Sequence, residues 1–324
     1  MNFDLKYMHR ALELAQHGEG NTSPNPMVGA VIVSEDGMII GEGYHRKYGE
    51  GHAEVNAIAS VTSENRPLLK NSTMYVTLEP CSHYGKTPPC ARLIVETGIP
   101  RVVVGSGDPF KEVAGRGIKL LRDAGVDVVE GVMADECRAL NRKFITAHEQ
   151  KRPFITLKWA QSEDGFMDSK DASPFIFSDS LNSMLVHRLR SLHDAIIVGS
   201  GTVLSDNPRL NCRFWPGRSP RPVIVDRRGR IDASETKMNN PLIIRHSQNI
   251  KQLLDCLYSK GITSALVEGG PVLLQSFIDE NLWDEARVEI SPVILGDKGC
   301  AKAPVLHKNP LKTEKIGKNI VKTY

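Results

Sequence analysis

His52-Ala53-Glu54, answered by Pro80-Cys81 and, past a loop, by Cys90, is the stretch on which the reading of this chain turns. One imidazole and two thiolates make three protein ligands, the number a catalytic zinc site uses when its fourth position is left for water. Structural zinc knots normally close with four protein ligands, and no fourth cysteine or histidine sits at an obvious spacing. Glu54 follows the histidine by two residues and is not needed as a ligand, which leaves it free to carry protons.

A histidine, a glutamate two later, then Pro-Cys and a second cysteine is the pattern of zinc-dependent base deaminases. The chemistry accounts for each residue type. Two thiolates and a neutral imidazole leave the zinc centre roughly uncharged, yet still able to lower its water's pKa towards neutrality. Attack falls on an amidine-like ring carbon. Glu54 takes the water's proton and returns it to the nitrogen that departs as ammonia.

A chain of 324 residues exceeds the usual single-domain size, so two domains are expected, each long enough to bury a core. A net charge of +3 with 24% charged residues, and no dense lysine or arginine run, points to neither a nucleic-acid nor a membrane partner. Six cysteines are too few for a disulfide framework. Cys137, Cys212, Cys256 and Cys300, outside the metal pattern, are expected as reduced thiols. Residues 1–6 lack a signal-peptide apolar core, and no apolar run approaches membrane-spanning length. The expectation is a soluble, cytoplasmic protein; its oligomeric state stays open, a homo-oligomer included.

Leu5, Met8, Ala11, Leu12 and Ala15 recur at helical spacing after Asp4, which is placed to cap them, and Gly18 ends the run. Strands are expected over 27–33 and 38–44, joined by the hairpin turn Ser34-Glu35-Asp36-Gly37. His52 opens a helix. A strand over 73–78 feeds Glu79-Pro80-Cys81, and Cys90 opens a second helix, whose dipole helps to keep that thiol ionised. Strand 101–104, helix 118–124 and strand 126–129 complete an α/β layer with both metal-bearing helices on one side of the sheet. One helix is expected over 135–148. The polar stretch 149–153, ending in proline, reads as a linker between domains 1–148 and 154–324. Beyond it, strands over 154–159, 195–198, 223–225, 242–244, 265–267 and 288–290 alternate with helices over 180–192, 250–260 and 272–280, the pattern of a mostly parallel sheet. A last strand is expected near Ile320-Val321.

Two turns in this half suit a phosphate, or serve as plain connectors: Glu268-Gly269-Gly270-Pro271 and Val198-Gly199-Ser200-Gly201-Thr202. Neither is the Gly-x-Gly-x-x-Gly dinucleotide fingerprint.

Residues 1 to about 148 resemble the deaminase domain of the bifunctional riboflavin-biosynthesis deaminase–reductases. Pro24-Asn25-Pro26-x-Val28-Gly29, Gly43-Tyr44-His45, His52-Ala53-Glu54 and the run from Glu79 to Cys90 carry the match. Eight residues (82–89) separate the cysteines, where nucleic-acid and nucleoside deaminases typically place two. The resemblance implies a cytidine-deaminase-like α/β/α layer, zinc on His52, Cys81 and Cys90, and Glu54 as proton shuttle. It also implies a pyrimidine bearing a phosphoribosylamino group as substrate. Asn25 reads as a contact to the ring edge or as a turn former, and Lys86 as a phosphate contact or a solvated lysine. His45 and His83 are not expected to bind metal.

Residues 153 to about 300 resemble the reductase half of the same family, a dihydrofolate-reductase-like α/β domain that takes hydride from NADPH. Its motifs are Lys158-x-Ala160-x-Ser162-x-Asp164-Gly165, His187-Arg188-Leu189-Arg190, the run from Gly201 to Leu210, and Glu268-Gly269-Gly270-Pro271. That match implies NADPH contacts at Ala160, Thr202, Asp206 and the turn made by Gly270, Pro271, Val272, Leu273, Leu274, Gln275 and Ser276. It implies substrate contacts at Ser173, Arg190, Leu210, Arg213 and Glu268. Arg190 and Arg213 suit the substrate phosphate as guanidinium forks, Arg190 being otherwise a helix-surface arginine. Arg227 and Arg228 follow Val225-Asp226, placed to grip the 2′-phosphate of NADPH or to sit solvated in a turn. Lys158 and Asp206 are the candidate proton donors.

The joint expectation is two steps of riboflavin biosynthesis. Hydrolytic deamination of 2,5-diamino-6-ribosylamino-4(3H)-pyrimidinone 5′-phosphate comes first. NADPH-dependent reduction of 5-amino-6-(5-phosphoribosylamino)uracil to the ribityl product follows. The alternative is a nucleic-acid-editing deaminase with a C-terminal binding module. The long inter-cysteine loop and the lack of a basic, aromatic-rich surface argue against it.

Overall fold

Alternation along the first sheet decides where its helices go. The computed structural model describes residues 3–82, 88–110, 114–170 and 176–324, in two compact units, Met1–Gln150 and Lys151–Tyr324. In the first unit α1 (Phe3–Gln16) precedes β1 (Gly29–Val33), β2 (Ile39–Tyr44), α2 (Ala53–Ser60), β3 (Thr73–Leu78) and α3 (Cys90–Thr97). Then come β4 (Arg101–Ser106), α4 (Arg116–Asp123), β5 (Asp127–Glu130), α5 (Ala134–Leu140) and α6 (Arg142–Gln150). The sheet order is β2-β1-β3-β4-β5, antiparallel at both β1 pairings and parallel from β3 to β5. Successive side chains on a strand face opposite ways. Ala30, Ile32, Met74, Val76, Val102 and Val104 therefore bury against α2, α3 and α4, while Val31, Val33, Tyr75 and Val103 bury against α1 and α5. The two helices carrying metal-ligand candidates share one face, as expected.

Three local expectations are corrected. α1 begins at Phe3, so Asp4 lies in its first turn, where its carboxylate receives the Arg101 guanidinium at 2.9 and 3.1 Å and the Tyr75 hydroxyl at 2.9 Å. The single helix expected over 135–148 is two helices broken at Asn141. The Asn141 side chain donates to the Met27 carbonyl and accepts from the Met27 amide, both at 2.8 Å, which sets the register of two segments 114 residues apart. α6 runs through Gln150, so the first two residues of the expected linker are helical.

The second unit contains β6 (Phe154–Gln161), β7 (Phe166–Ser169), α7 (Ser180–Ser191), β8 (Ala195–Gly199), α8 (Ser200–Asp206), β9 (Arg221–Val225) and β10 (Leu242–Ile244). It continues with α9 (Ile250–Ser259), β11 (Ser264–Val267), α10 (Pro271–Asp279), β12 (Glu285–Ile290), β13 (Gly299–Lys302), β14 (Lys312–Ile316) and β15 (Asn319–Thr323). Eight strands lie in the order β10-β9-β8-β11-β6-β12-β15-β14. They are parallel from β10 to β12, and β15 and β14 close the edge antiparallel. Asp179 caps α7 by accepting from the Asn182 amide, and Asn249 caps α9 from Gln252, two side-chain caps of the usual kind. The turn read at 198–202 is in fact the start of α8, with Gly199 as its N-cap. β7 and β13 form a separate two-stranded ribbon that the sequence pattern does not announce.

Candidate functional site

In the first unit, the ends of two helices and of one strand supply the donors. His52 is the N-cap of α2, Cys90 the first residue of α3, and Cys81 emerges three residues beyond the end of β3. α2 lies directly on β2: a Cβ at Gly43 would come within 2.3 Å of the Ala57 amide nitrogen and 2.6 Å of the Ala53 carbonyl oxygen. The donor atoms of His52, Cys81 and Cys90 all lie within 4.8 Å of one another. His52 Nδ1 is 3.6 Å from Cys81 Sγ and 3.3 Å from Cys90 Sγ. Zinc bonds of about 2.3 Å to sulfur and about 2.0–2.1 Å to nitrogen, at a tetrahedral angle, require N···S edges of about 3.6 Å. Three ligands of this type at these separations fit zinc.

The surroundings favour a thiolate at Cys81 and an adaptable proton carrier, whereas the Cys90 thiol, expected to be kept ionised by its helix, is pushed up by its hydrogen bond with Cys81 and by burial. Cys81 is pushed down to about 4 by its hydrogen bond with Cys90, then by His52 and the Cys90 amide, which donates to its sulfur at 3.3 Å. Its link to Cys81 raises His52, with burial opposing. Glu54 is buried, and burial pushes its carboxyl up to about 7, with the charge of Cys81 adding to the rise. A carboxyl poised there both takes and gives a proton near neutral pH.

Asn25 joins this site through a residue whose role the sequence does not reveal. His45 is buried, and its ring stands edge-on to that of His52, centroids 5.5 Å apart. Its Nδ1 meets the Gly51 carbonyl at 3.1 Å, so that nitrogen carries the proton; Nε2 then accepts from the Asn25 amide at 3.4 Å. His45 is thus an orienting residue for Asn25 and not a metal ligand. Lys86 and His83 lie outside the described residues, as does Ser173 in the second unit.

The second unit holds a cavity of about 630 Å³ whose walls include Thr202, Asp206, Arg227, Glu268, Gly270, Pro271, Val272, Leu273 and Ser276. These are nine of the residues expected around NADPH and substrate. Leu274 and Gln275 are not among them. Leu274 turns into the core, fully buried, and the Gln275 side chain donates to Asp279 and accepts from the Val305 amide. Helical periodicity accounts for this, because a face of α10 that presents 272, 273 and 276 must turn 274 and 275 away. Ala160, half-buried at the end of β6, is likewise not on the cavity wall. Arg228 and Arg230 are, and Arg230 donates to the Ser200 hydroxyl at 2.8 Å. A run of arginines beside a strand end was legible at 227 and 228; Arg230 was not singled out.

A smaller cavity of about 310 Å³ is lined by Arg190, Leu210 and Arg213, together with Asn207, Pro208, Arg209 and Lys237. Arg190, expected as a guanidinium fork on the substrate phosphate, makes an ion pair within the protein. Its Nε and Nη2 reach the two Glu268 oxygens at 2.8 and 2.5 Å, and Nη1 donates to the Asn211 carbonyl at 3.2 Å. The fork is already engaged, and the Arg190–Glu268 pair forms a wall common to both cavities. Exposed cations at Arg209, Arg213 and Lys237 remain for an anion, and only Arg213 was anticipated. Lys158, nearly buried, lies 3.7 Å from the buried Glu289, and Asp206 is exposed at the end of α8.

Two family models match the chain: the cytidine and deoxycytidylate deaminase zinc-binding region over residues 1–106, and the RibD C-terminal domain over residues 153–322. The riboflavin biosynthesis protein RibD of Aquifex aeolicus is 39% identical, over 91% of this chain and 88% of its own. That of Escherichia coli K12 is 36% identical, over 94% and 92%. A crystal structure of a diaminohydroxyphosphoribosylaminopyrimidine deaminase/5-amino-6-(5-phosphoribosylamino)uracil reductase from Thermotoga maritima superimposes with a TM-score of 0.88 at 35% identity, covering 99% of this chain and 98% of the other. RibD of Acinetobacter baumannii does so at 0.89 and 32%, with the same coverage.

Proposed function

Because this chain belongs to the RibD family of bifunctional riboflavin-biosynthesis enzymes, we infer that residues 1–148 carry its zinc-dependent pyrimidine deaminase and residues 154–324 its NADPH-dependent reductase, joined across 149–153. The protein is a hydrolase fused to an oxidoreductase, with a cytidine-deaminase-like and a dihydrofolate-reductase-like α/β domain. The first step removes an amino group from 2,5-diamino-6-ribosylamino-4(3H)-pyrimidinone 5′-phosphate. The second reduces 5-amino-6-(5-phosphoribosylamino)uracil to the ribityl product. Small phosphoribosylaminopyrimidines, not nucleic acids, are its substrates, which replaces the editing-deaminase alternative.

His52, Cys81 and Cys90 hold the zinc, which supplies the Lewis acidity that makes water a competent nucleophile near neutral pH. Glu54 accepts the protons that water gives up, one passing to the ring nitrogen and one to the departing exocyclic amine, so the bond from the ring carbon to that amine is exchanged for C=O and ammonia leaves. Asn25, oriented by His45, addresses the edge of the pyrimidine. In the reductase, Thr202, Asp206, Gly270, Pro271, Val272, Leu273 and Ser276 line the NADPH cavity, and Arg227, Arg228 and Arg230 stand where a 2′-phosphate needs cations. Arg213, with Arg209 and Lys237, takes the substrate phosphate. NADPH brings the hydride, so the protein's task there is to hold donor and acceptor in contact and exclude water. We place the enzyme in the cytoplasm on the strength of its biosynthetic role and its six free cysteines. No helix among the described residues is long and apolar enough to cross a membrane.

One observation carries this reading: three metal-type donors converge within 4.8 Å beside a buried carboxyl, in a chain whose other half matches the RibD C-terminal domain. The test is Glu54→Gln. Ammonia release is expected to fall about 10²–10⁴-fold, the usual range for loss of a general acid–base. Zinc content, and NADPH oxidation with the deaminated substrate, should be unchanged. Wild-type ammonia release from this variant would overturn the assignment of Glu54.

A further inference from the structure

We propose that Glu79 is a positioning residue of the deaminase site, a buried carboxylate that fixes the Cys81 end of β3 against the N-terminus of α4. It rests on the zinc reading above and extends it to a residue outside the set of metal-ligand candidates.

The first turn of a helix leaves amide donors without partners, and a side chain at the N-cap usually satisfies them. α4 has Gly115 at its N-cap and no side-chain cap of its own. The missing acceptor comes from another element. Glu79 Oε1 receives the amides of Gly117 at 2.9 Å and Ile118 at 3.3 Å, and Oε2 receives those of Gly115 at 3.0 Å and Asp108 at 3.4 Å. Its own amide donates to Ser106 at 2.9 Å, extending the β3–β4 pairing, so backbone and side chain are both held. A negative charge at a helix N-terminus is also favoured by the dipole. Glu79 is only 4% exposed.

One residue, Pro80, separates this clamp from Cys81. Pro80 has a fixed φ and is buried against α4, where a Cβ on Gly117 would fall 1.9 Å from the Pro80 carbonyl oxygen. Cys81 then accepts the Ala91 amide at 3.2 Å through its carbonyl and the Cys90 amide at 3.3 Å through its sulfur. Cys81 is therefore tied on one side to α3, which bears the other thiol, and on the other through Pro80 and Glu79 to α4. Metal ligands hold their ion well only when their own positions are fixed by such outer contacts.

The test uses the full-length, zinc-loaded protein with Glu79→Ala, Glu79→Gln and, as a control on the opposite face of the sheet, Tyr75→Phe, which removes the hydroxyl bonded to Asp4. Zinc retention is measured by competition with a chromogenic chelator, the ligand field by visible absorption of the cobalt-substituted protein, and each activity separately. Glu79→Ala is expected to weaken zinc retention about 10–100-fold, the usual effect of losing an outer contact. Its cobalt spectrum and ammonia release should change while NADPH oxidation does not. Glu79→Gln, which keeps one acceptor oxygen, should fall between it and wild type, and Tyr75→Phe should hold zinc normally at a comparable melting temperature. Glu79→Ala holding zinc within about threefold of wild type overturns the proposal, as does zinc loss that tracks melting temperature equally in Tyr75→Phe. If the alanine protein does not fold, the glutamine variant decides, and wild-type zinc affinity in it overturns the proposal. A wild-type protein that takes up no zinc sinks the metal reading itself, a result distinct from all of these.

Discussion

Removing Arg190 should destabilise the reductase unit far more than removing an exposed arginine. Its side chain is 13% exposed and that of Glu268 6%, and the two are joined by a two-pronged ion pair at 2.5 and 2.8 Å. Burial alone pushes Glu268 up, yet Arg190, with help from Lys158 and His187, more than offsets it and holds the carboxyl below its usual range. Truncation to alanine leaves that carboxylate buried without its partner, a loss of about 3–5 kcal/mol for pairs of this kind. For a unit of this size, about 2–4 °C per kcal/mol converts the loss to a fall of about 6–20 °C in melting temperature. All three tryptophans, Trp159, Trp215 and Trp283, lie in residues 151–324, so urea unfolding followed by tryptophan fluorescence reports this unit selectively. Glu268→Leu combined with Arg190→Met should recover most of the loss, since an apolar pair of similar volume leaves no charge behind. A loss below about 1 kcal/mol in Arg190→Ala, the range of an exposed pair, would refute the reasoning. So would strictly additive costs in the double variant.

Three further outcomes follow from the geometry. Asn141→Ala leaves the Met27 amide and carbonyl without their partner and should cost about 1–3 kcal/mol for each group left unsatisfied. Because Asn25 lies two residues away, the KM of deamination should rise more than kcat falls, as steady-state ammonia assays will read. Asp4 is held below the ordinary carboxylate value first by its hydrogen bond with Arg101, so its contribution is present above an unfolded pKa of about 3.9 and is lost as pH falls below that. Asp4→Asn should flatten the acid limb of the first unit's stability profile, checked by melting between pH 5 and 2. Arg228→Ala or Arg230→Ala should raise the KM for NADPH about tenfold or more, as expected for loss of a charge-assisted bond of about 1.5 kcal/mol, and leave that for NADH unchanged. Parallel rises for both cofactors would place these arginines away from the 2′-phosphate.

Elements with strong local signals are the ones the sequence discloses. β3 and β10 were bounded to the residue, because apolar runs between polar turns leave little choice. The convergence of His52, Cys81 and Cys90 was legible because residue type and order are themselves the chemistry. What escaped depends on partners distant in sequence. Asn141 breaks a helix for the sake of Met27, His45 owes its tautomer to Gly51 and Asn25, and Glu79 serves a helix more than thirty residues further on. Arg190 carries the same lesson. Its type fits a phosphate, and only the fold reveals that Glu268 has already engaged its fork. The β7–β13 ribbon joins segments about 130 residues apart, and neither strand advertises the other.

The seat of α2 on β2 has a consequence for how His52 and Glu54 behave in time. Where main chain rests on main chain, as at Gly43, there is no cushion of movable side chains to absorb a shift. The imidazole and the carboxyl, mounted on the same rigid rod, must travel together or not at all. A single methyl group inserted beneath that rod would lift both at once, misaligning ligand and proton carrier without touching either.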